Sequence, residues 1–236
     1  MKILGLESSA KTASCAIVED GRVLCLEYCN TGLTHSVTLL PMVQAALERC
    51  GFTPRDIDAY AVTCGPGSFT GIRIGVAAVK GLAAVNDTPC VGVSTLEAAA
   101  YPLRGLNCTA VAVMDARRSQ VYTARFECTG GGITRLCEDN AIALQELTEP
   151  LNALKLPPVL IGDGAALCFD ALKSSIPSLS IAAEPLTYQQ AHSVALIAQD
   201  KLKNGQAVSC AELTPVYLRL PQAQRELNNK AASINK

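Results

Sequence analysis

The sequence predicts an α/β chain folded as two lobes, each opening with a β-β-β unit and continuing through alternating strands and helices. Short apolar runs bounded by turn residues recur through the first half, with helically spaced runs between them. The second half opens the same way, which points to duplication of one unit and a cleft between the copies. Pro102 and Gly105 break the chain between the halves. The expected lobes are residues 1–103 and 104–221, followed by a polar tail at 222–236.

Lys2–Leu6 and Ala13–Val18 read as strands, Glu19-Asp20-Gly21 as a tight turn and Val23–Cys29 as a third strand. A helix begins near Ser36, with Leu39, Leu40, Val43, Ala46 and Leu47 at helical spacing. Ala59–Thr63 reads as a buried strand, Cys64–Ser68 as a tight turn and Thr70–Val85 as a helix rich in small residues. Cys90–Val93 is a further strand, feeding a helix opened by Ser94-Thr95-Leu96-Glu97. Ser94 and Glu97 have the spacing of a capping box. In the second half, Thr109–Met114 is a strand ending at Asp115, as the first strand of the chain ends at Glu7. Gln120–Glu127 and Ile133–Cys137 follow around the turn Gly130-Gly131-Gly132, and helices near Ala165–Ser174 and Gln189–Lys203 complete the second lobe.

The chain has 236 residues, 49% hydrophobic, so it can bury a core. A net charge of -1 gives no basic field, which argues against independent high-affinity binding of nucleic acid. Arg117-Arg118 and the Arg219/Arg225 region are the small basic spots. The eleven cysteines are odd in number, scattered and without a Cys-x-x-Cys pair. They read as small buried hydrophobes in a reducing cytosol rather than bridges or zinc ligands, with Cys15, Cys25, Cys64, Cys90 and Cys108 filling strands. The N-terminus lacks the pattern of a signal peptide and no run is long enough to span a membrane, so a cytoplasmic location is expected.

Gly65-Pro66-Gly67 before a helix offers backbone amides that favour an anion, or serves as a plain strand-to-helix reversal. Gly71 and Gly75 are costly inside a helix, and close approach of another backbone would offset that cost. That backbone belongs either to this chain or to another subunit. A phosphotransfer enzyme with two phosphate-binding turns needs glycines in both and an acidic residue for the metal. Here the first turn is Glu7-Ser8-Ser9-Ala10-Lys11-Thr12 and the second Asp115-Ala116-Arg117-Arg118-Ser119, with arginines expected to fill the phosphate space. Gly162-Asp163-Gly164 reads as a strand-to-helix turn or an adenosine-loop mimic. The only histidines are His35 and His192, so no His-x-x-x-His metal pair exists; Thr95 and Ala99 stand at the candidate positions.

These motifs together resemble the TsaB (YeaZ) family, over nearly the whole chain. The likeness rests on Gly5-Leu6-Glu7-Ser8-Ser9, His35-Ser36 with Leu40-Pro41, Gly65–Gly75, Gly92–Glu97, Met114–Arg118, Gly162-Asp163-Gly164 and Pro215–Arg219. It implies an actin-like (ASKHA) fold and a non-catalytic accessory role, in which the chain binds and activates a TsaD-type paralogue that forms N6-threonylcarbamoyladenosine in tRNA. The paralogue's Asn-His-Leu-Glu-Gly-His motif aligns with Ser94–Ala99, both metal ligands being lost. The usual Asp-Thr-Ser is Glu7-Ser8-Ser9 here, and the usual acidic residue after Ser36 is Val37.

The resemblance further implies that the helices beginning near Ser36 and at Thr70 form the interface, through His35, Ser36, Leu39, Leu40, Val43, Phe69, Thr70, Gly71, Ile72, Ile74, Gly75, Ala78 and Leu82. Glu7, Ser8, Ser9, Gly65, Gly67, Asp115, Arg117 and Arg118 would be remnants of nucleotide-site loops. No catalytic residue and no cofactor or metal is expected on this chain alone; ATP or ADP and metal are expected on the partner subunits, the paralogue and a TsaE-type ATPase. A homodimer is expected in isolation, and contact with tRNA only through the complex. The alternatives are an independent ASKHA-type kinase or metal-dependent transferase, and a tRNA-binding module, which the near-neutral charge disfavours.

Overall fold

A computed structural model of the chain describes residues 1–219, so the expected tail 222–236, and Arg225 within it, lie outside the described residues. The chain runs β1 (Lys2–Glu7), β2 (Ala13–Glu19), β3 (Arg22–Cys29), α1 (His35–Cys50), β4 (Ala59–Gly65), α2 (Phe69–Ala83), β5 (Cys90–Ser94) and α3 (Thr95–Ala100). It continues through β6 (Cys108–Asp115), β7 (Gln120–Thr129), β8 (Gly132–Arg135), β9 (Asn140–Ala143), α4 (Thr148–Asn152) and β10 (Pro158–Ile161). Then come α5 (Ala165–Leu172), β11 (Ser180–Ile181), α6 (Glu184–Thr187) and α7 (Ala191–Lys203). The third strand of the second half thus stops at Arg135, short of Cys137, and α2 ends two residues before Val85.

The first sheet has the order β3-β2-β1-β4-β5 and the second β11-β10-β6-β7-β8, with β9 pairing β7 off this path. In each sheet the first three strands are antiparallel and the later ones add in parallel beside the first. The two sheets therefore share one topology, with β1 and β6 equivalent, and Glu7 and Asp115 at equivalent strand ends.

The helices do not follow the lobes along the chain. Ile3, Leu4 and Leu6 of β1 are buried, successive residues pointing to opposite faces, so the first sheet needs cover on both sides. Residues 1–103 supply α1 and α2 for one face only. The other face is covered by α7, whose Val194, Ala195, Ile197 and Ala198 pack on Ile3, Ala59, Ala61 and Val91. The approach is close: a Cβ at Gly5 would lie 2.6 Å from the Ala191 carbonyl. In exchange, Leu96, Ala99 and Ala100 of α3 pack with the second sheet. The expectation that the last helix completes the second lobe is corrected accordingly, and the division at residue 103 separates strands but not their covering helices.

The capping box at Ser94 is half formed. Ser94 Oγ accepts from the Glu97 amide at 3.3 Å, but Glu97 turns away to Arg135, 3.6 Å distant. Ser94 Oγ also donates to Asp139 at 2.6 Å, and Arg135 Nη1 donates to the other Asp139 oxygen at 2.6 Å. This network ties the N-terminus of α3 to the second sheet.

Candidate functional site

The ends of β1 and β6 meet at a cleft of about 400 Å³, lined by Ser9, Lys11, Gly67, Asp115, Arg117 and Asp163 among others. Glu7, at the end of β1 two residues before the lining residue Ser9, is fully buried. Glu7 Oε1 accepts from the Ser9 amide and hydroxyl, both at 2.6 Å, and from Gln189 Nε2 at 3.5 Å. Oε2 has no hydrogen-bond partner among the described residues. Burial pushes the carboxyl up from its ordinary 4.5 to about 7, the hydrogen bonds from Ser9 and Gln189 opposing the shift only in part. Glu7 is thus a structural carboxyl, withdrawn from the cleft.

The loop it holds organises the start of α2. The Ser68 amide donates to the Ser9 carbonyl at 2.7 Å, and a Cβ at Gly67 would fall inside contact distance of that same carbonyl. Ser68 Oγ caps α2 through the Gly71 amide at 3.2 Å, and Ser8 Oγ donates to the Gly71 carbonyl at 2.9 Å.

Across the cleft, Asp115 Oδ1 accepts from the Arg117 amide at 2.7 Å, and Asp163 Oδ1 accepts from the Asp115 amide at 3.3 Å. Burial raises the Asp163 pKa. Arg117, Arg118 and Ser119 all carry positive φ, at 64°, 57° and 56°, a left-handed turn that costs roughly 1–2 kcal/mol per non-glycine residue. All three residues are exposed, and of them Arg117 lines the cleft without filling it. The expected loss of the phosphate space is corrected: the space remains open.

The segment after α7 joins both lobes. The Val216 amide donates to the Cys64 carbonyl at 2.7 Å, and a side chain at Gly65 would collide with the Val216 carbonyl. Arg73 lies between Phe69, 3.9 Å to the ring centre, and Tyr217, whose hydroxyl accepts from Arg73 Nε at 2.8 Å. Arg219 Nη1 then donates to the Ala116 carbonyl at 2.6 Å.

The expected interface residues divide. Leu39, Val43, Gly71, Ile72 and Gly75 are buried in the first lobe. A Cβ on Gly71 would strike the Ser8 carbonyl, and one on Gly75 would lie 2.5 Å from Ser8 Oγ. The backbone that these two glycines admit is therefore the chain's own. His35 sits between the two arrangements, its Nε2 2.8 Å from the Ala10 carbonyl. Ser36, Leu40 and Thr70 are exposed, and Phe69, Ile74, Ala78 and Leu82 partly so. Leu33 and Val37, 60% and 64% exposed, extend this face beyond the expected residues.

Comparison with known families follows the same lines. The family model described as TsaD, tRNA N6-adenosine threonylcarbamoyltransferase, matches residues 31–227. The protein called tRNA threonylcarbamoyladenosine biosynthesis protein TsaB in Escherichia coli (strain K12) is 33% identical over 98% of this chain and 100% of its own length. The chain belongs to the TsaB family. A Pseudomonas aeruginosa crystal structure, described as an uncharacterized protein with similarity to peptidase YEAZ, superposes with a TM-score of 0.79 at 27% identity, over 92% of this chain and 99% of that one. The activator of the 2-hydroxyisocaproyl-CoA dehydratase from Clostridium difficile shares the fold alone, with a TM-score of 0.55 at 11% identity over 92% and 99% of the two chains. The fold of this TsaB-family chain is thus actin-like and two-lobed.

In this TsaB-family chain Thr95 and Ala99 are both fully buried, Ala99 among the apolar residues of the second sheet. All eleven cysteines are free; Cys15, Cys64, Cys90 and Cys108 are buried, while Cys25 is only partly so. Among the described residues no helix is long and apolar enough to cross a membrane. Residues that sequence reasoning left without a role are Gln189, Tyr217 and Lys11. Gln189 had no local signal: it reaches Glu7 across more than 180 positions, and only the return of α7 to the first sheet brings it there.

Proposed function

We propose that this chain is the non-catalytic accessory subunit of an assembly that forms N6-threonylcarbamoyladenosine in tRNA, where it binds and activates a TsaD-type paralogue. The observation that carries this reading is the outward face of α1. Val37 and Leu40 lie one helical turn apart, 64% and 52% exposed, with Leu33 just before the helix also exposed and Ile74 and Ala78 of α2 partly so. The E. coli relative's name places that protein in threonylcarbamoyladenosine biosynthesis, and the TsaD family model spans most of this chain. A self-complementary use of the same face gives a homodimer in isolation, and a TsaE-type ATPase completes the assembly. ATP or ADP and metal belong to the partner subunits.

Co-expression with the paralogue, followed by assay of tRNA modification with and without this chain, tests the proposal. A Val37→Glu/Leu40→Glu variant should keep the fold and lose both assembly in size exclusion and the stimulation of modification. Full modification without this chain, or by the purified chain alone, overturns the accessory role. The open cleft favours one second reading, an independent ASKHA-type enzyme, which requires saturable binding of ATP-Mg²⁺ by the isolated chain in calorimetry.

A further inference from the structure

The two small basic spots, a hundred positions apart in the sequence, are one patch in the fold. Arg219 reaches the carbonyl of Ala116, beside Arg117 and Arg118, and Lys11 stands on the cleft lining contributed by the other lobe. Lys11, Arg117 and Arg118 are all exposed, Arg117 with 82% of its side chain accessible. The left-handed turn at Arg117–Ser119 is strain retained in the fold, and it presents two successive arginines at the rim.

The carboxylates of this region lie inward. Asp115 accepts from the Arg117 amide, and Asp163 accepts from the Asp115 amide and is half-buried, with a raised pKa. The sign of charge therefore changes with depth, carboxylates within the cleft and cations around its mouth. A compact polyphosphate entering the cleft would meet Asp115 and Asp163. A phosphodiester backbone crossing the mouth would meet the cations first, Arg117 being paired with the partly exposed Asp115 at 3.5 Å and Lys11 and Arg118 standing exposed.

We propose that Lys11, Arg117, Arg118 and Arg219 form a contact surface for the phosphate backbone of a folded RNA. The choice of RNA as the polyanion rests on the accessory role proposed above; the position and chemistry of the patch do not. The net charge of -1 limits the contact to a weak, strongly salt-dependent one that supplements whatever the paralogue contributes. Each cation meeting a phosphate adds about 0.9 to the steepness of log affinity against log salt.

The test is fluorescence anisotropy of a labelled transfer RNA titrated with the full chain, across about 20 to 200 mM salt. The comparison is a Lys11→Gln/Arg118→Gln variant, which alters only exposed side chains. Wild type should bind at the low end, with affinity falling steeply as salt rises. The variant should bind several-fold more weakly, with a slope smaller by about 1 to 2. Absence of binding by wild type at low salt, or an unchanged slope in the variant, overturns the proposal. So does saturable binding of inorganic pyrophosphate without binding of RNA, which would mark a small-anion pocket. Co-purification with the paralogue is scored in parallel. Assembly that forms while the RNA slope is unchanged overturns the RNA contact alone; salt-dependent RNA binding without assembly overturns the accessory reading alone.

Discussion

Replacing Glu7 with Gln tests the buried carboxyl that holds the loop beside the cleft. Gln keeps an acceptor oxygen for the Ser9 amide and hydroxyl while remaining neutral at every pH. In the folded chain burial raises the Glu7 pKa from its ordinary 4.5 to about 7, so between those values the folded state holds a proton that the unfolded chain has released. Stability is therefore complete below pH 4.5, declines as pH rises from there to 7, and carries the whole cost above 7. At about 1.4 kcal/mol per pH unit, that cost reaches about 3 kcal/mol. The assay is urea denaturation of both proteins from pH 4.5 to pH 8. Every other group titrates alike in the two, so the difference isolates Glu7. The advantage of Glu7→Gln over wild type should grow by about 3 kcal/mol across the interval. A difference independent of pH would refute the argument, because it would mean that Glu7 is already ionised in the folded chain or is reached by water.

Four further outcomes follow from the packing. Gly71→Ala should lower stability by more than 2 kcal/mol, read as a fall in Tm, because its Cβ meets a backbone carbonyl that cannot move aside without dislodging the Ser8–Ser9 loop. Ile197→Ala should cost about 2–5 kcal/mol in urea, and its effect should reach the first-lobe amides Ile3 and Ala61 in hydrogen exchange although the helix is nearly 200 positions from β1. Ser94→Ala should cost about 1–2 kcal/mol in thermal unfolding, since it removes both the cap on α3 and the bond to Asp139. Val37→Glu/Leu40→Glu should shift unfolding by less than about 0.5 kcal/mol while abolishing assembly, because both side chains face solvent in the isolated chain.

Much of the fold was legible because it is local. The strands declared themselves by buried runs such as Ala59–Thr63, and the helices by spacing such as Leu39–Leu47. Duplication was visible in two meanders that each end a first strand on a carboxylate. At the site, reading was poorer wherever one signature serves two ends. The Gly71/Gly75 stripe looks the same whether it admits a partner's backbone or the chain's own, and here Ser8 occupies it. Arg117-Arg118 reads in sequence as bulk in the phosphate space, yet both arginines are exposed on a left-handed turn.

The sequence by itself determined the two β-β-β units and the family, since each is written in residue type and spacing along the chain. Only the tertiary structure decided that α7 covers the first sheet and α3 the second, that Gln189 reaches Glu7, and that Arg219 joins Arg117 and Arg118. The physical reason is that burial is shared among elements distant along the chain. Both faces of a buried sheet must be covered, but the pattern of the sheet does not say which later segment covers them, and every long-range contact at the cleft follows from that choice.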